Sequence, residues 1–240
     1  MKRVEKMNVK NTCVIVAFLC LISSTASAGF TSSGALFSVT SSVGSGTLVN
    51  VQTQITPAAW SNTGGWTATN ASVTWQNTIQ GWDSTTSAGF TNGNIVIRNN
   101  TATAQDFAVT VAMLGNASGP LVAAGSIGGQ FVNGSASLGS LTSTGPLWST
   151  GIDGAAVNSQ LNNALFFAQP FQVMSLGSFN FSNLAISNSI TNNASIRFSL
   201  RLSAGGEASF TSVFSFQTVP GPASIALIGF LPIVRSRRRR

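Results

Sequence analysis

Hydrophobic and polar residues alternate along most of the chain between its two ends. The period-two pattern is clearest in two runs of apolar positions: Phe107, Val109, Val111 and Met113, then Ile196, Phe198, Leu200 and Leu202. This period is typical of a β-strand with one buried face. Further strands are predicted at 36–40, 49–55, 73–79, 95–98, 129–132, 173–181 and 208–217. Nine or more short strands favour an all-β fold, an antiparallel β-sandwich, with a jelly roll as one topology that it allows.

Three local signals interrupt the strands. Asn92-Gly93 and Asn133-Gly134 predict tight turns, and 203–206 should turn the chain between the last two strands. Near Gly177 the apolar positions change phase, which predicts a β-bulge. After Asp153, a candidate N-cap, apolar residues follow at every fourth position, which predicts one short helix. These positions are Val157, Leu161 and Leu165.

The first 28 residues have the three parts of a secretory signal peptide. A basic start precedes the apolar stretch 14–22, and Ala26 and Ala28 stand at the small positions that signal peptidase accepts before Gly29. We therefore expect cleavage between Ala28 and Gly29. An uncleaved anchor is disfavoured because nine apolar residues are far fewer than the roughly 20 that a membrane-spanning helix needs.

The last 22 residues place three further parts in a fixed order. The motif Val219, Pro220, Gly221 and Pro222 is followed by the apolar segment 223–234 and by a cluster of five arginines, Arg235, Arg237, Arg238, Arg239 and Arg240. The prolines favour an extended, accessible chain. The arginines would hold the end of a membrane-inserted segment on the cytoplasmic side.

This order of parts resembles the PEP-CTERM sorting signal that bacterial exosortases recognise. Gly221 stands where the family usually has Glu, the apolar segment is short, and Pro232 would break its last helical turn. The resemblance implies export, membrane contact through residues 223–234 during maturation, and processing by an exosortase. It also implies an association with exopolysaccharide. The alternative is a plain basic tail, which leaves the apolar segment unexplained.

The charges lie mostly in these two ends. The formal net charge is +7, but residues 29–218 contain three arginines and four carboxylates, and 3 minus 4 gives −1. Nucleic-acid binding requires a stripe of Lys and Arg, so we expect no nucleic-acid partner. Residues 29–218 show no internal repeat, which favours a single domain between the signal peptide at 1–28 and the sorting tail at 219–240.

The composition argues against the common enzyme chemistries. The chain has no histidine, both cysteines (Cys13 and Cys20) lie in the signal segment, and no lysine follows Lys10. Catalytic triads, Ser-Lys dyads and zinc sites therefore lack their residues. We expect no catalytic residue, metal or cofactor, and a non-enzymatic protein. One enzymatic alternative remains, a hydrolase using a pair of carboxylates from Asp83, Asp106, Asp153 and Glu207.

Four tryptophans fall within 23 residues. Trp75 shares a predicted strand face with Val73 and Ile79, which places it in the core, whereas Trp60, Trp66 and Trp82 lie in Gly-rich segments interpreted as loops. Aromatic side chains there could stack on sugar rings, although large aromatics more often bury area for stability.

The sequence as a whole predicts an exported protein of the cell surface or extracellular matrix, handled by signal peptidase and an exosortase. A carbohydrate-binding or adhesive module that uses Trp60, Trp66 and Trp82 is the first alternative. A self-assembling surface subunit is a further one, because the strands lack the lysines that guard sheet edges.

Overall fold

The computed structural model describes residues 31–49, 53–56, 59–68, 70–80, 88–117, 119–135, 138–187 and 189–219. Side chains are described within 36–44, 63–68, 70–74 and 94–217, and for Val219. These residues belong to one compact unit, Gly29–Val219. The predictions for the two ends, apart from Val219, lie outside the described residues.

Fifteen strands are described, and they form two antiparallel sheets. Sheet A has the order β11-β10-β14-β7-β1-β2, with β9 paired to β14 and β12 paired to β9. Its strands are β1 Thr31–Ser41, β2 Gly44–Val49, β7 Gln105–Asn116, β9 Gly139–Thr142, β10 Pro146–Ile152, β11 Ala155–Asn162, β12 Leu165–Ala168 and β14 Asn193–Leu202. The predicted period-two runs at 107–113 and 196–202 therefore pair with each other, as β7 and β14.

Sheet B has the order β13-β8-β15-β6-β5-β4-β3. Its strands are β3 Thr53–Thr56, β4 Ala59–Ala68, β5 Ala71–Gln80, β6 Ala88–Asn99, β8 Leu121–Val132, β13 Val173–Ile186 and β15 Glu207–Thr218. The last strand of the chain, β15, lies in the middle of this sheet between β8 and β6.

The core described lies between the two sheets and is built mainly from inward-facing residues of β1, β5 to β10 and β12 to β15. Phe198 of sheet A packs against Phe210 of sheet B with ring centroids 5.0 Å apart, and Trp148 packs against Phe181 at 6.2 Å. Phe198 and Trp148 are both fully buried. The all-β sandwich predicted from the alternating pattern is confirmed, and the described residues contain no helix.

One buried amide ties the end of the sandwich together. The Asn99 side-chain amide donates hydrogen bonds to the carbonyls of Thr103, Leu202 and Ser203, at 2.8–3.0 Å, and its oxygen accepts from the backbone N–H and the hydroxyl of Thr101. Asn99 is fully buried, and these bonds satisfy its polar atoms. They link the β6–β7 connection to the turn between β14 and β15.

The helix predicted after Asp153 is wrong. Val157 and Leu161 lie in β11 and Leu165 begins β12. Strands β10 and β11 form a hairpin in which Ile152 pairs with Ala155 across the two-residue turn Asp153-Gly154. Both turn residues have positive φ, 50° and 83°, the conformation for which Asp-Gly is favoured in hairpins. The apolar spacing of four is even, so it also fits a strand, and pairing with β10 decided between the two structures.

The other local predictions had mixed outcomes. The bulge is confirmed, because the register of β13 against β8 shifts between Ser175 and Gly177, and Gly177 has φ 84°. The turn at 203–206 is also confirmed. Asn92-Gly93 lies inside β6, where both residues pair with β5 and β15, so the predicted turn is wrong. Asn133-Gly134 begins the longer connection from β8 to β9 rather than a two-residue turn.

Candidate functional site

Of the residues named in the two predicted processing signals, the structure describes only Val219. Its N–H donates to the carbonyl of Pro120 at 2.9 Å, and its side chain is exposed. Ala26, Ala28 and Gly29 lie outside the described residues. So do Pro220, Gly221, Pro222, the apolar segment 223–234 and the arginine cluster. No helix within the described ranges is long and apolar enough to cross a membrane.

Two of the three tryptophans predicted to lie in loops, Trp60 and Trp66, lie elsewhere. Trp60 and Trp66 are in strand β4, not in loops, and pair in register with Ile79 and Val73. Trp66 is partly buried and packs against the core. The side chains of Trp60 and Trp75, and all of Trp82, lie outside the described part. Gly64 and Gly65 look like a loop signal, but they pair with β5, which extends the strand through them.

Two of the three described carboxylates pair with an arginine, and the third is bound by backbone N–H groups. Glu207 accepts a hydrogen bond from Arg98 Nε at 2.6 Å. Asp106 Oδ2 lies 3.6 Å from Arg201 Nη1, in an exposed ion pair. Asp153 accepts hydrogen bonds from the backbone N–H groups of the segment 191–193 and from the Thr191 hydroxyl, at 2.7–2.9 Å. Asp83 lies outside the described residues. The described part of the chain holds no cluster of three His, Cys, Asp or Glu that could bind a metal ion.

The pKa of Asp153 reflects two opposing effects. Burial raises it, but the N–H groups of the segment 191–193 and the Thr191 hydroxyl stabilise the charged carboxylate, and the net pKa lies below the ordinary value. Asp153 therefore anchors a hairpin turn to the segment 191–193, and is not the N-cap of a helix.

A cleft of about 880 Å³ opens on the outer face of sheet A. Its floor is formed by the outward-facing residues of β7 and β14, and one wall is the connection Ser143–Gly145 between β9 and β10. The Ser143 hydroxyl donates to the carbonyl of Leu161 and accepts from the N–H of Ala164, which fixes this wall to the end of β11. The opposite wall is the turn after β1, where Ser42 bonds to Gln105 and to the N–H of Asp106.

The strand register places hydroxyl groups around an arginine in this cleft. Arg197 of β14 pairs with Thr110 of β7 on one side and with Ser149 of β10 on the other, and Ser149 pairs in turn with Ser159 of β11. Residues in register on neighbouring strands point to the same face of a sheet. Arg197 and Arg201 are two of the three arginines that the sequence analysis counted in residues 29–218 without assigning them a site. The signal that could have joined them was their even spacing on one alternating strand.

The comparisons with known proteins leave the chain without an assigned family. No protein-family model and no curated protein matches the sequence. Among solved structures, the chain is similar to TmCBM61 in complex with beta-1,4-galactotriose. That similarity has 11% identity and a TM-score of 0.27, and covers 52% of this chain and 70% of the other. At that TM-score the similarity carries no functional argument.

Proposed function

We propose that this chain is an exported, non-enzymatic protein of the cell surface or extracellular matrix, cut by signal peptidase and an exosortase. The segments at 1–28 and 219–240 supply the order of parts that each enzyme requires. Residues 223–234 contact the membrane during maturation, before the arginine cluster is removed.

The observation that carries this proposal is where the two cleavage points fall relative to the strands. The first described strand begins at Thr31, two residues after Gly29, and the last strand ends at Thr218, immediately before the Val219–Pro222 motif. Cleavage at both points would remove no described residue of either sheet. Because β15 lies in the middle of sheet B, a cut a few residues earlier would remove part of a central strand.

Intact mass spectrometry of the protein recovered from envelope and medium fractions of the native host tests this proposal. The expected mass begins at Gly29 and ends between Val219 and Pro222. A mass that begins at Gly29 but extends to Arg240 would refute processing of the tail. A mass that includes residues 1–28 would refute cleavage by signal peptidase.

A pair of variants tests whether the arginine cluster directs the second cut. Replacing Arg237, Arg238, Arg239 and Arg240 by Gln should leave the tail uncut, because the positive charges that hold it at the membrane are lost. Arg98→Gln is the matched control, since it removes a positive charge from β6 and should leave the mass of the processed protein unchanged apart from the substitution. Normal processing of the Gln-substituted tail would contradict the proposed role of the cluster.

A further inference from the structure

The cleft on sheet A combines a cation that has no ionic partner with many groups that can both donate and accept hydrogen bonds. Arg197 is exposed and forms no ion pair with any other described residue. Nine of the residues lining the cleft are Ser or Thr. An exposed arginine amid uncharged hydroxyls is a group that can pair with an anion without first losing a partner.

A second arginine lies farther along the same strand and face. Arg201 pairs with Asp106, but the two charged atoms are 3.6 Å apart and both side chains are more than half exposed, so water and salt weaken the pair. The charged residues lining the cleft are Arg197, Arg201 and Asp106, and 2 minus 1 gives +1. Four residues of extended strand separate the arginines by about 13 Å, more than one sugar ring spans.

We propose that this cleft binds an anionic polysaccharide, a chain of sugars bearing carboxylate groups. The guanidinium of Arg197 would take one carboxylate in a two-pronged contact, and Arg201 would take another farther along the chain. Ser149, Ser159 and Thr142 would exchange hydrogen bonds with the sugar hydroxyls, because each hydroxyl can both donate and accept.

The lining favours a polysaccharide over other polyanions. The large apolar residues of its lining, Phe107 and Leu200, belong to the core and are 2% and 4% exposed, so the described lining offers no open apolar pocket of the kind that anchors a peptide side chain. Sugar hydroxyls can also exchange hydrogen bonds with the nine Ser and Thr residues of the lining, whereas phosphate groups offer only acceptors. The proposed site depends on the proposed function in one respect: an extracellular location would give the cleft access to such a polysaccharide. Binding itself can be measured with the purified protein.

Affinity electrophoresis and titration calorimetry of the purified full chain test the proposal. The probes are polygalacturonate, an uncharged dextran and poly-glutamate, each at about 50 and 500 mM NaCl, a range over which screening changes strongly. We expect binding to polygalacturonate that weakens with salt, with little binding to dextran or poly-glutamate. Arg197→Gln should weaken polygalacturonate binding about tenfold, the loss expected for one charge-assisted contact.

Arg98→Gln is the matched control, because Arg98 lies on sheet B and pairs with Glu207 away from the cleft. It removes the same charge and should leave the affinity unchanged. Equal losses in both variants would overturn the site, since attraction would then depend on net charge alone. Equal binding to dextran or to poly-glutamate, or no binding to polygalacturonate, would overturn the ligand class. Thermal melts of both variants verify that they fold.

These outcomes are independent of the mass measurement. A chain that is not exported or not processed would refute the proposed function, yet its cleft could still bind polygalacturonate. A processed chain that binds none of the glycans would agree with the proposed function but would refute this binding site.

Discussion

Individual polar residues in this protein hold turns and chain crossings in place. Asn99 is fully buried with its amide bonded to three carbonyls, and Asp153 bonds to three successive N–H groups of the segment before β14. Asn99 also belongs to an Asn-x-Thr sequon, but its burial leaves no room for a glycan. At this scale, Asn99 and Asp153 hold backbone segments in place, whereas Arg98 and Arg201 pair with carboxylates.

Asp153 gives a pH-dependent prediction. Asp153→Asn keeps the shape and tolerates the positive φ but loses the charge, so it should lower the free energy of unfolding by about 1 kcal/mol at pH 7. Because the folded-state pKa is below the ordinary value, this contribution is full above the unfolded-state pKa, near 3.8, and is lost as pH falls through the folded value.

Urea unfolding of wild type and Asp153→Asn at pH 7 and at pH 2.5 measures this effect. The gap in unfolding free energy should shrink at the lower pH. A gap of equal size at both values would mean that the charge of Asp153 contributes nothing. Asp106→Asn, whose carboxylate is exposed and only loosely paired, serves as the control and should change stability little.

At the scale of elements, the glycines of β8 set how closely its neighbours approach. A Cβ added at Gly129 would lie 2.6 Å from the carbonyl oxygen of Ser209 and 2.9 Å from the ring of buried Phe210, both in β15. A Cβ at the adjacent Gly128 would meet nothing nearer than the Gly177 oxygen at 3.8 Å. The two glycines are neighbours in one strand, but only Gly129 lies where a side chain would clash with β15.

Alanine substitution should separate the two. Gly129→Ala should destabilise the protein by about 2 kcal/mol, because β8 and β15 must move apart. Gly128→Ala should be neutral or slightly stabilising, since it restricts the unfolded chain without a clash. Equilibrium denaturation of both variants measures the difference. Similar stabilities would show that β15 adjusts freely, against the tight packing described above.

At the scale of the whole molecule, the connectivity ties the end of the chain to the middle of a sheet. β15 pairs with β8 on one side and β6 on the other along almost its full length. The two edge strands of sheet B are β13 and β3, and neither is the last strand of the chain. The fold is thus completed only when the last residues before Val219 are in place.

Truncation tests this dependence. A chain that ends at Val219 should melt cooperatively at the same temperature as the full chain, because β15 is intact. A chain that ends at Ser209 loses most of β15, which leaves β6 paired only with β5 and β8 paired only with β13. It should show no cooperative melt by near-ultraviolet circular dichroism. Cooperative melting of the shorter chain would mean that β15 is dispensable, and the proposed cut at 219–222 would then have no structural reason for its position.

The sequence by itself determined the fold class, most strand positions, the bulge at Gly177 and the turn at 203–206. These features follow from local rules, because alternation of apolar residues requires one buried face and a phase change requires an extra residue. The sorting and cleavage motifs are also local, and they remain predictions because they lie outside the described residues.

Only the tertiary structure decided the features that depend on which strands are neighbours. Pairing with β5 and β15 on both sides carried β6 through Asn92-Gly93, and pairing with β5 carried β4 through Gly64-Gly65, although glycine usually interrupts a strand. Pairing with β10 made a strand of the segment predicted to be helical. The cleft depends on strand pairing in the same way. The alternation places Arg197 on an outer face, but only the register of β14 with β7 and β10, and of β10 with β11, surrounds it with hydroxyls. Those of β10 and β11 lie up to about 50 residues earlier in the sequence, and that of β7 about 90 residues earlier.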